Sequence, residues 1–279
     1  MSRKEITGAT PTIARFKRLK VGLLDRIAPQ PVVFHHVPKC GGTSVGVALR
    51  QRYILSQATV TPESSFRAFE AFTGRTDREQ MLIDVLDLRE QLLLYWLYED
   101  VRCVSLHVRF SEVAYDQFHD RYKFITILRE PISRFISHYF WSHGKPYSHA
   151  RIDEDLKSFL DTRRARRLGA TYVEYYAGLP KEADITSQEA INAAITNLSR
   201  FDVVGRLDDL ATFEAALKHE LAVRIKVGHE NKMRQSIRHN KKVVTPEMRV
   251  RIEALCAPDL AVWENATGAL TSWPNQRLE

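Results

Sequence analysis

Lys39, Cys40, Gly41, Gly42, Thr43 and Ser44 put a cation, two glycines and two hydroxyls into one short stretch. That combination suits an oxyanion: glycines without Cβ let backbone N–H groups converge on a phosphate, the hydroxyls add donors, and the lysine supplies mobile charge. Farther along, His107 lies in Val104-Ser105-Leu106-His107-Val108-Arg109-Phe110, and Arg129 precedes Glu130-Pro131, with Ser137 following. Arginine recognises phosphate bidentately, and a histidine poised near neutral pH suits general-base work on a hydroxyl. Ser133, one turn before Ser137 on the same side, is the reserve donor, and His36, His138 and His143 are weaker rivals to His107.

The surrounding elements determine where these residues fall. Residues 32–37 are β-branched and aromatic enough for a buried strand, and from Ser44 the residues Val45, Ala48, Leu49 and Tyr53 follow a helical stripe. The glycines therefore occupy a strand–turn–helix junction, with a positive helix end aimed at the loop. Residues 101–108 and 122–128 read as strands, which puts His107 and Arg129 at the carboxyl edge, where open α/β sheets bind ligands. Pro131 opens a helix carrying Ile132, Phe135, Ile136, Tyr139 and Phe140.

A polar stretch at 59–78 precedes an amphipathic helix with Met81, Leu82, Val85, Leu86, Leu92, Leu93 and Leu97. Beyond it, the pattern predicts a helix over 187–198, a strand over 201–207, and a helix over 210–221 capped by Asp208 or Asp209. An edge strand over 223–227, a basic loop over 228–242 and a helix capped by Thr245 follow. Strands alternating with helices predict an α/β, P-loop-like three-layer fold with a central parallel β-sheet flanked by helices. Residues 147–180 read as an insertion over the site. There, Arg163, Arg164, Arg166 and Arg167 can meet acceptor charges while Tyr172, Tyr175 and Tyr176 stack on sugar faces.

The 279 residues carry 41 Lys plus Arg against 34 Asp plus Glu, a net charge of +7. This favours anionic ligands but is too diffuse to imply nucleic acid. The cysteines Cys40, Cys103 and Cys256 are odd in number and widely spaced, which suits neither a disulfide framework nor a zinc site and fits a reducing, cytoplasmic compartment. No stretch reaches the roughly 18 apolar residues of a spanning helix. Residues 1–30 form a basic amphipathic segment that could touch a membrane surface, and 31–279 are expected to form a single domain.

Pro38-Lys39-Cys40-Gly41-Gly42-Thr43-Ser44 is not a Walker A loop, in which the lysine follows the glycines. It resembles the 5′-phosphosulfate loop of sulfotransferases that use 3′-phosphoadenosine 5′-phosphosulfate, particularly the carbohydrate branch with heparan sulfate 2-O-sulfotransferases and bacterial relatives. Cys40 stands where that branch more often has threonine. Leu128-Arg129-Glu130-Pro131 through Arg134-Phe135-Ile136-Ser137-His138-Tyr139 resembles the family's 3′-phosphate element, which implies that Arg129 and Ser137 hold that phosphate. The run from Ser105 to Phe110 resembles its catalytic-histidine strand, often His-Gly-His-x-x-Phe, with Ser105 replacing the first histidine; this implies that His107 is the base. Gly228-His229-Glu230-Asn231-Lys232-Met233-Arg234 resembles the segment that closes over the nucleotide, implying contacts from Asn231 and Lys232.

The resemblance runs from Pro31 to Ala266. It implies metal-independent transfer of a sulfuryl group to a hydroxyl of an anionic, carbohydrate-like acceptor, with adenosine 3′,5′-bisphosphate as the product. Two alternatives stay open. A P-loop-like kinase or hydrolase is disfavoured because no Walker lysine or Walker B aspartate is visible. A nucleotide- or polyanion-binding module without turnover requires His107 to be buried or turned away.

Overall fold

The computed structural model describes residues 29–145, 149–228 and 243–271, together with Leu19. Five strands form one all-parallel sheet: β1 (Val32–His35), β2 (Gln57–Thr59), β3 (Cys103–Leu106), β4 (Lys123–Leu128) and β5 (Val203–Arg206). Their spatial order is β2-β3-β1-β4-β5, with helices flanking the sheet in a three-layer α/β arrangement. β1 and β3 are buried throughout, and β4 is buried after its first residue, so these strands read as near-continuous apolar runs.

From β1 the chain passes through α1 (Gly42–Arg50) to β2 on one side of the sheet. It returns through α2 (Pro62–Thr73) and α3 (Arg78–Tyr98) to β3, then crosses through α4 (Glu112–Phe118) to β4 on the other side. The strand order therefore reverses about β1, and the crevice at the carboxyl ends of β1 and β4 is the topological switch point. Between β4 and β5 lie α5 (Pro131–Ser142), α6 (Leu156–Phe159), α7 (Arg163–Gly169), α8 (Thr171–Tyr176) and α9 (Gln188–Ser199). After β5 come α10 (Leu210–Leu221), α11 (Pro246–Leu255) and α12 (Ala257–Thr271). Asp209, rather than Asp208, caps α10, and Thr245 caps α11.

Three expectations change. The segment 223–227 forms no strand. Ala222 ends α10 in a left-handed conformation, Ile225 and Val227 enter the core from irregular backbone, and Glu214 accepts the Val227 amide at 2.7 Å. The sheet's edges are instead β5 and β2, and β2 lies partly inside the stretch read as polar. It is short and mostly exposed, and a hydrogen bond of 2.7 Å from Thr59 Oγ1 to the Ser105 carbonyl reinforces its pairing with β3.

The third change concerns the tyrosines of the stretch 147–180 read as an insertion, of which residues 149–180 are described. These residues do not simply overlie the sheet: α6 and α7 pack with α5 and α11 into a second apolar cluster around Phe135, Phe159 and Ile252. Tyr172, Tyr175 and Tyr176 are buried in the main core and so cannot stack on a sugar.

Candidate functional site

Pro38, Lys39, Cys40 and Gly41 turn the chain from β1 into α1. Gly41 has φ +76°, and a Cβ there would lie 2.6 Å from Leu207 Cδ1. At Gly42 space alone is decisive, since a Cβ would come within 2.0 Å of the His36 ring. Lys39 itself takes φ +69°, a left-handed conformation that costs about 1–2 kcal/mol for a residue with a Cβ. Gly41 is the N-cap of α1, and no side chain caps the first amides of the helix. These amides and the positive dipole end therefore face the loop, beside half-buried Ser44 and exposed Thr43. The start of α5 is different, because Glu130 accepts hydrogen bonds there from the Ile132 and Ser133 amides at 2.9 and 2.8 Å.

Cations gather around the open α1 terminus. The Lys39 ammonium lies 5.0 Å from the centroid of the Trp141 ring, and Lys145 lies 3.8 Å from the same centroid. Arg129 Nη1 spans the switch-point crevice and donates to the Lys39 carbonyl at 3.3 Å. Burial, with help from Lys145 and Arg129, pushes Lys39 down to about 8, and burial also lowers Arg129. Among the described residues no carboxylate lies within ion-pair distance of Lys39, Arg129 or Lys145. Ser137 is half-buried in the second turn of α5, whereas Ser133 is exposed. Asn231 and Lys232 lie outside the described residues.

A buried tyrosine ties the loop to the arginine. The Tyr172 hydroxyl accepts from the Arg129 amide at 2.8 Å, donates to the Arg129 carbonyl, and lies 3.5 Å from Cys40 Sγ. Cys40 is therefore an inward-facing anchor whose thiol is raised by burial, and only its backbone remains for a ligand. Tyr172 is held in turn by Asp259, which accepts its amide at 2.7 Å and pairs with the fully buried Arg134 at 3.3 Å. Tyr172→Phe should cost about 1–3 kcal/mol, because the Arg129 amide loses its buried acceptor. Chemical denaturation should show a lower midpoint at unchanged slope, and an unchanged midpoint would show that the hydroxyl tethers nothing.

His107 follows β3 on the other side of β1. Its Nδ1 bonds to the His36 carbonyl, which can only accept, so the proton resides on Nδ1 and Nε2 keeps its lone pair. The His36 ring lies 4.0 Å from the His107 ring, centroid to centroid. Burial first, then His36 and Arg89, holds His107 well below the ordinary histidine value, and the same kinds of force bring His36 to about 3. Both imidazoles are thus neutral at physiological pH. His36 stands as a wall between His107 and the Gly42 turn, and His138 contributes to the field that depresses His107.

Sequence reasoning missed Arg89, Trp141, Lys145 and the true place of Tyr172. Arg89 left a signal. It falls between Leu86 and Leu93 on the apolar stripe of α3, where a charge must find internal partners. It is buried and donates to Ser65 Oγ at 3.0 Å and to the Pro62 and His107 carbonyls, both at 3.4 Å. The arginines of 147–180 divide: Arg167 pairs with Glu174 and Arg164 donates to the Ala150 and Arg151 carbonyls, while Arg163 and Arg166 are exposed.

Fold and site define a three-layer α/β protein with a cationic strand–loop–helix junction at the carboxyl edge of its parallel sheet. No protein-family model matches the chain, and no curated protein matches it. No helix among the described residues is long and apolar enough to cross a membrane.

Proposed function

We propose that the protein is a sulfotransferase that moves a sulfuryl group from 3′-phosphoadenosine 5′-phosphosulfate to a hydroxyl of an anionic, carbohydrate-like acceptor. The observation that supports this most is the gathering of Lys39, Arg129 and Lys145, with no carboxylate at ion-pair distance among the described residues, beside the uncapped start of α1. Such a concentration of uncompensated cations and amides fits a ligand bearing several negative charges. The Gly42 cradle, which a Cβ would fill, fits close approach of a phosphate to the backbone. When bound, the donor supplies the electrophilic sulfur and a phosphate leaving group.

The chain's own groups then have distinct roles. The amides of Cys40 to Ser44 and the Lys39 ammonium hold the 5′-phosphosulfate, where charge accumulating on the leaving oxygen is stabilised by donors already in place. Arg129, with Ser137, takes the 3′-phosphate. His107 Nε2 accepts the proton of the acceptor hydroxyl, its tautomer being set by the His36 carbonyl. Because Arg164 contributes to the field at His138 and Lys145 adjoins Lys39, the rim on the α5 side is cationic, which favours an acidic acceptor. A binding module without turnover needs His107 buried or turned away; the side chain is instead half-buried, with Nδ1 paired to the His36 carbonyl and Nε2 without a hydrogen-bond partner among the described residues, which favours the enzyme.

Adenosine 3′,5′-bisphosphate should raise the melting temperature well beyond ATP with magnesium, by mass-action linkage to the folded state. Equal stabilisation by the two nucleotides would count against the assignment. Lys39 adds a signature with a definite sign. Its free-protein value of about 8, below the ordinary 10.5, means that it is losing its proton above pH 8, whereas a bound polyanion favours the charged form. Calorimetry between these two values, in buffers of different ionisation enthalpy, should therefore register proton uptake on binding. Lys39→Arg should abolish the uptake, and a buffer-independent enthalpy in the wild type would remove Lys39 from the anion site.

A further inference from the structure

We infer that Arg89 is a positioning residue for the proposed transfer: it clamps the chain that carries His107 and sets a fixed positive charge beside that imidazole. The inference rests on the sulfotransferase reading for its consequence in turnover, though not for its effect on the histidine. Arg89 is 5 % exposed on α3, and no carboxylate lies within ion-pair distance of it among the described residues. A buried guanidinium without a counter-ion is costly to keep, and an apolar side chain of similar size would fill the same stripe. Its neutral partners show what it holds together.

Nη2 donates to the Pro62 carbonyl and Nη1 to the His107 carbonyl, both at 3.4 Å, while Nε donates to Ser65 Oγ at 3.0 Å. Pro62 opens α2 shortly beyond β2, and His107 follows β3, so one planar fork spans the carboxyl ends of two neighbouring strands. Ser65 is itself fixed, since its Oγ donates to the Pro62 carbonyl at 2.9 Å. The two holds on His107 are then complementary. Arg89 takes its backbone carbonyl, whereas the His36 carbonyl takes ring Nδ1, and the His36 amide is anchored in turn on the Leu106 carbonyl at 3.0 Å. Main chain and ring are both restrained, so the direction of Nε2 is set before any acceptor arrives.

The titratable and charged groups that act on the His107 ring are His36 at the end of β1, Arg89 on α3 and His138 on α5, with burial acting ahead of all three. Burial also pushes His36 and His138 toward their neutral forms, so Arg89 is the permanent charge among these three. A fixed cation beside an imidazole disfavours a second positive charge there, which keeps the lone pair of Nε2 open for a proton from the acceptor.

The test pairs Arg89→Lys with Arg89→Met, because lysine keeps the charge without the fork and methionine keeps neither. Two quantities are read on the full-length protein: single-turnover sulfuryl transfer beside adenosine 3′,5′-bisphosphate titration, and the NMR titration of the His107 ring, its signal assigned by its loss in His107→Ala. Transfer should fall roughly 10- to 100-fold in both variants while the nucleotide binds as it does to the wild type, the loss expected from a slightly misplaced base. His107 should titrate at higher pH in Arg89→Met, toward the ordinary 6.5, and stay depressed in Arg89→Lys. Wild-type transfer in both variants, or a His107 titration that Arg89→Met leaves in place, overturns the inference. So does a parallel loss of nucleotide binding and transfer in Arg89→Lys, which would mark Arg89 as a support of the whole fold; this variant decides the matter if Arg89→Met does not fold. Absence of transfer by the wild type strikes the sulfotransferase reading instead, and the titration, which needs no substrate, then still decides whether Arg89 governs the histidine.

Discussion

In His107→Ala, single-turnover sulfuryl transfer is expected to fall about 10²- to 10⁴-fold, while adenosine 3′,5′-bisphosphate binds as it does to the wild type. The separation follows from geometry. His107 leaves β3, the Lys39 loop leaves β1, and Arg129 leaves β4, so the proposed base and the proposed anion-holding groups stand on different strands of one sheet edge. The pH profile carries a second expectation. Burial, His36 and Arg89 hold the imidazole well below the usual histidine value, so its base form persists through neutral and mildly acidic solution. Activity should therefore stay level through about pH 6.5, the value at which an unperturbed histidine is half protonated. Sulfate transfer from labelled donor to acidic and neutral glycans, run beside donor titration, reads both quantities. Wild-type-like turnover in the variant eliminates His107 as the base, and transfer confined to phenols or amines eliminates the carbohydrate acceptor but leaves the donor site standing.

The second large effect belongs to Arg129→Ala, which should weaken nucleotide binding by about 2–4 kcal/mol, the scale for losing a charge-assisted contact in a partly desolvated site. Arg129 also donates to the Lys39 carbonyl, so its removal loosens the loop as well. A difference measurement separates these consequences. Calorimetry with adenosine 5′-phosphate and adenosine 3′,5′-bisphosphate should show that the variant loses most of the wild-type preference for the 3′-phosphate. Arg129→Lys should restore only part of it, because an ammonium cannot reproduce the planar fork of the guanidinium. A preference retained at the wild-type level would exclude Arg129 from 3′-phosphate recognition, whatever it does for the loop.

How much of this was legible beforehand depended on whether the determining forces are local. The strands around 32–35, 103–106 and 123–128 announced themselves because parallel strands buried on both faces must be continuously apolar. The junction at Gly41 and Gly42 was legible because a glycine pair between a strand and a helix has few other uses. β2 was hidden, since an exposed edge strand needs only its pairing with β3 and leaves no apolar signature. The opposite error arose at 223–227, where apolar residues serve the core from irregular backbone once Glu214 has taken the Val227 amide.

At the site, residue chemistry and strand order by themselves determined that Lys39, His107 and Arg129 belong to one sheet edge, because a parallel α/β sheet collects the carboxyl ends of its strands there. Only the tertiary structure decided that Tyr172 is a buried tether on Arg129 rather than a surface for a sugar. An amphipathic ring with a hydroxyl suits both roles, and the choice depends on Asp259 and Arg134, which arrive from distant parts of the chain. It also decided the His107 tautomer and the absence of a carboxylate partner for Lys39 and Arg129 among the described residues. Both are facts about what stands beside a side chain in space, which spacing along the sequence does not encode.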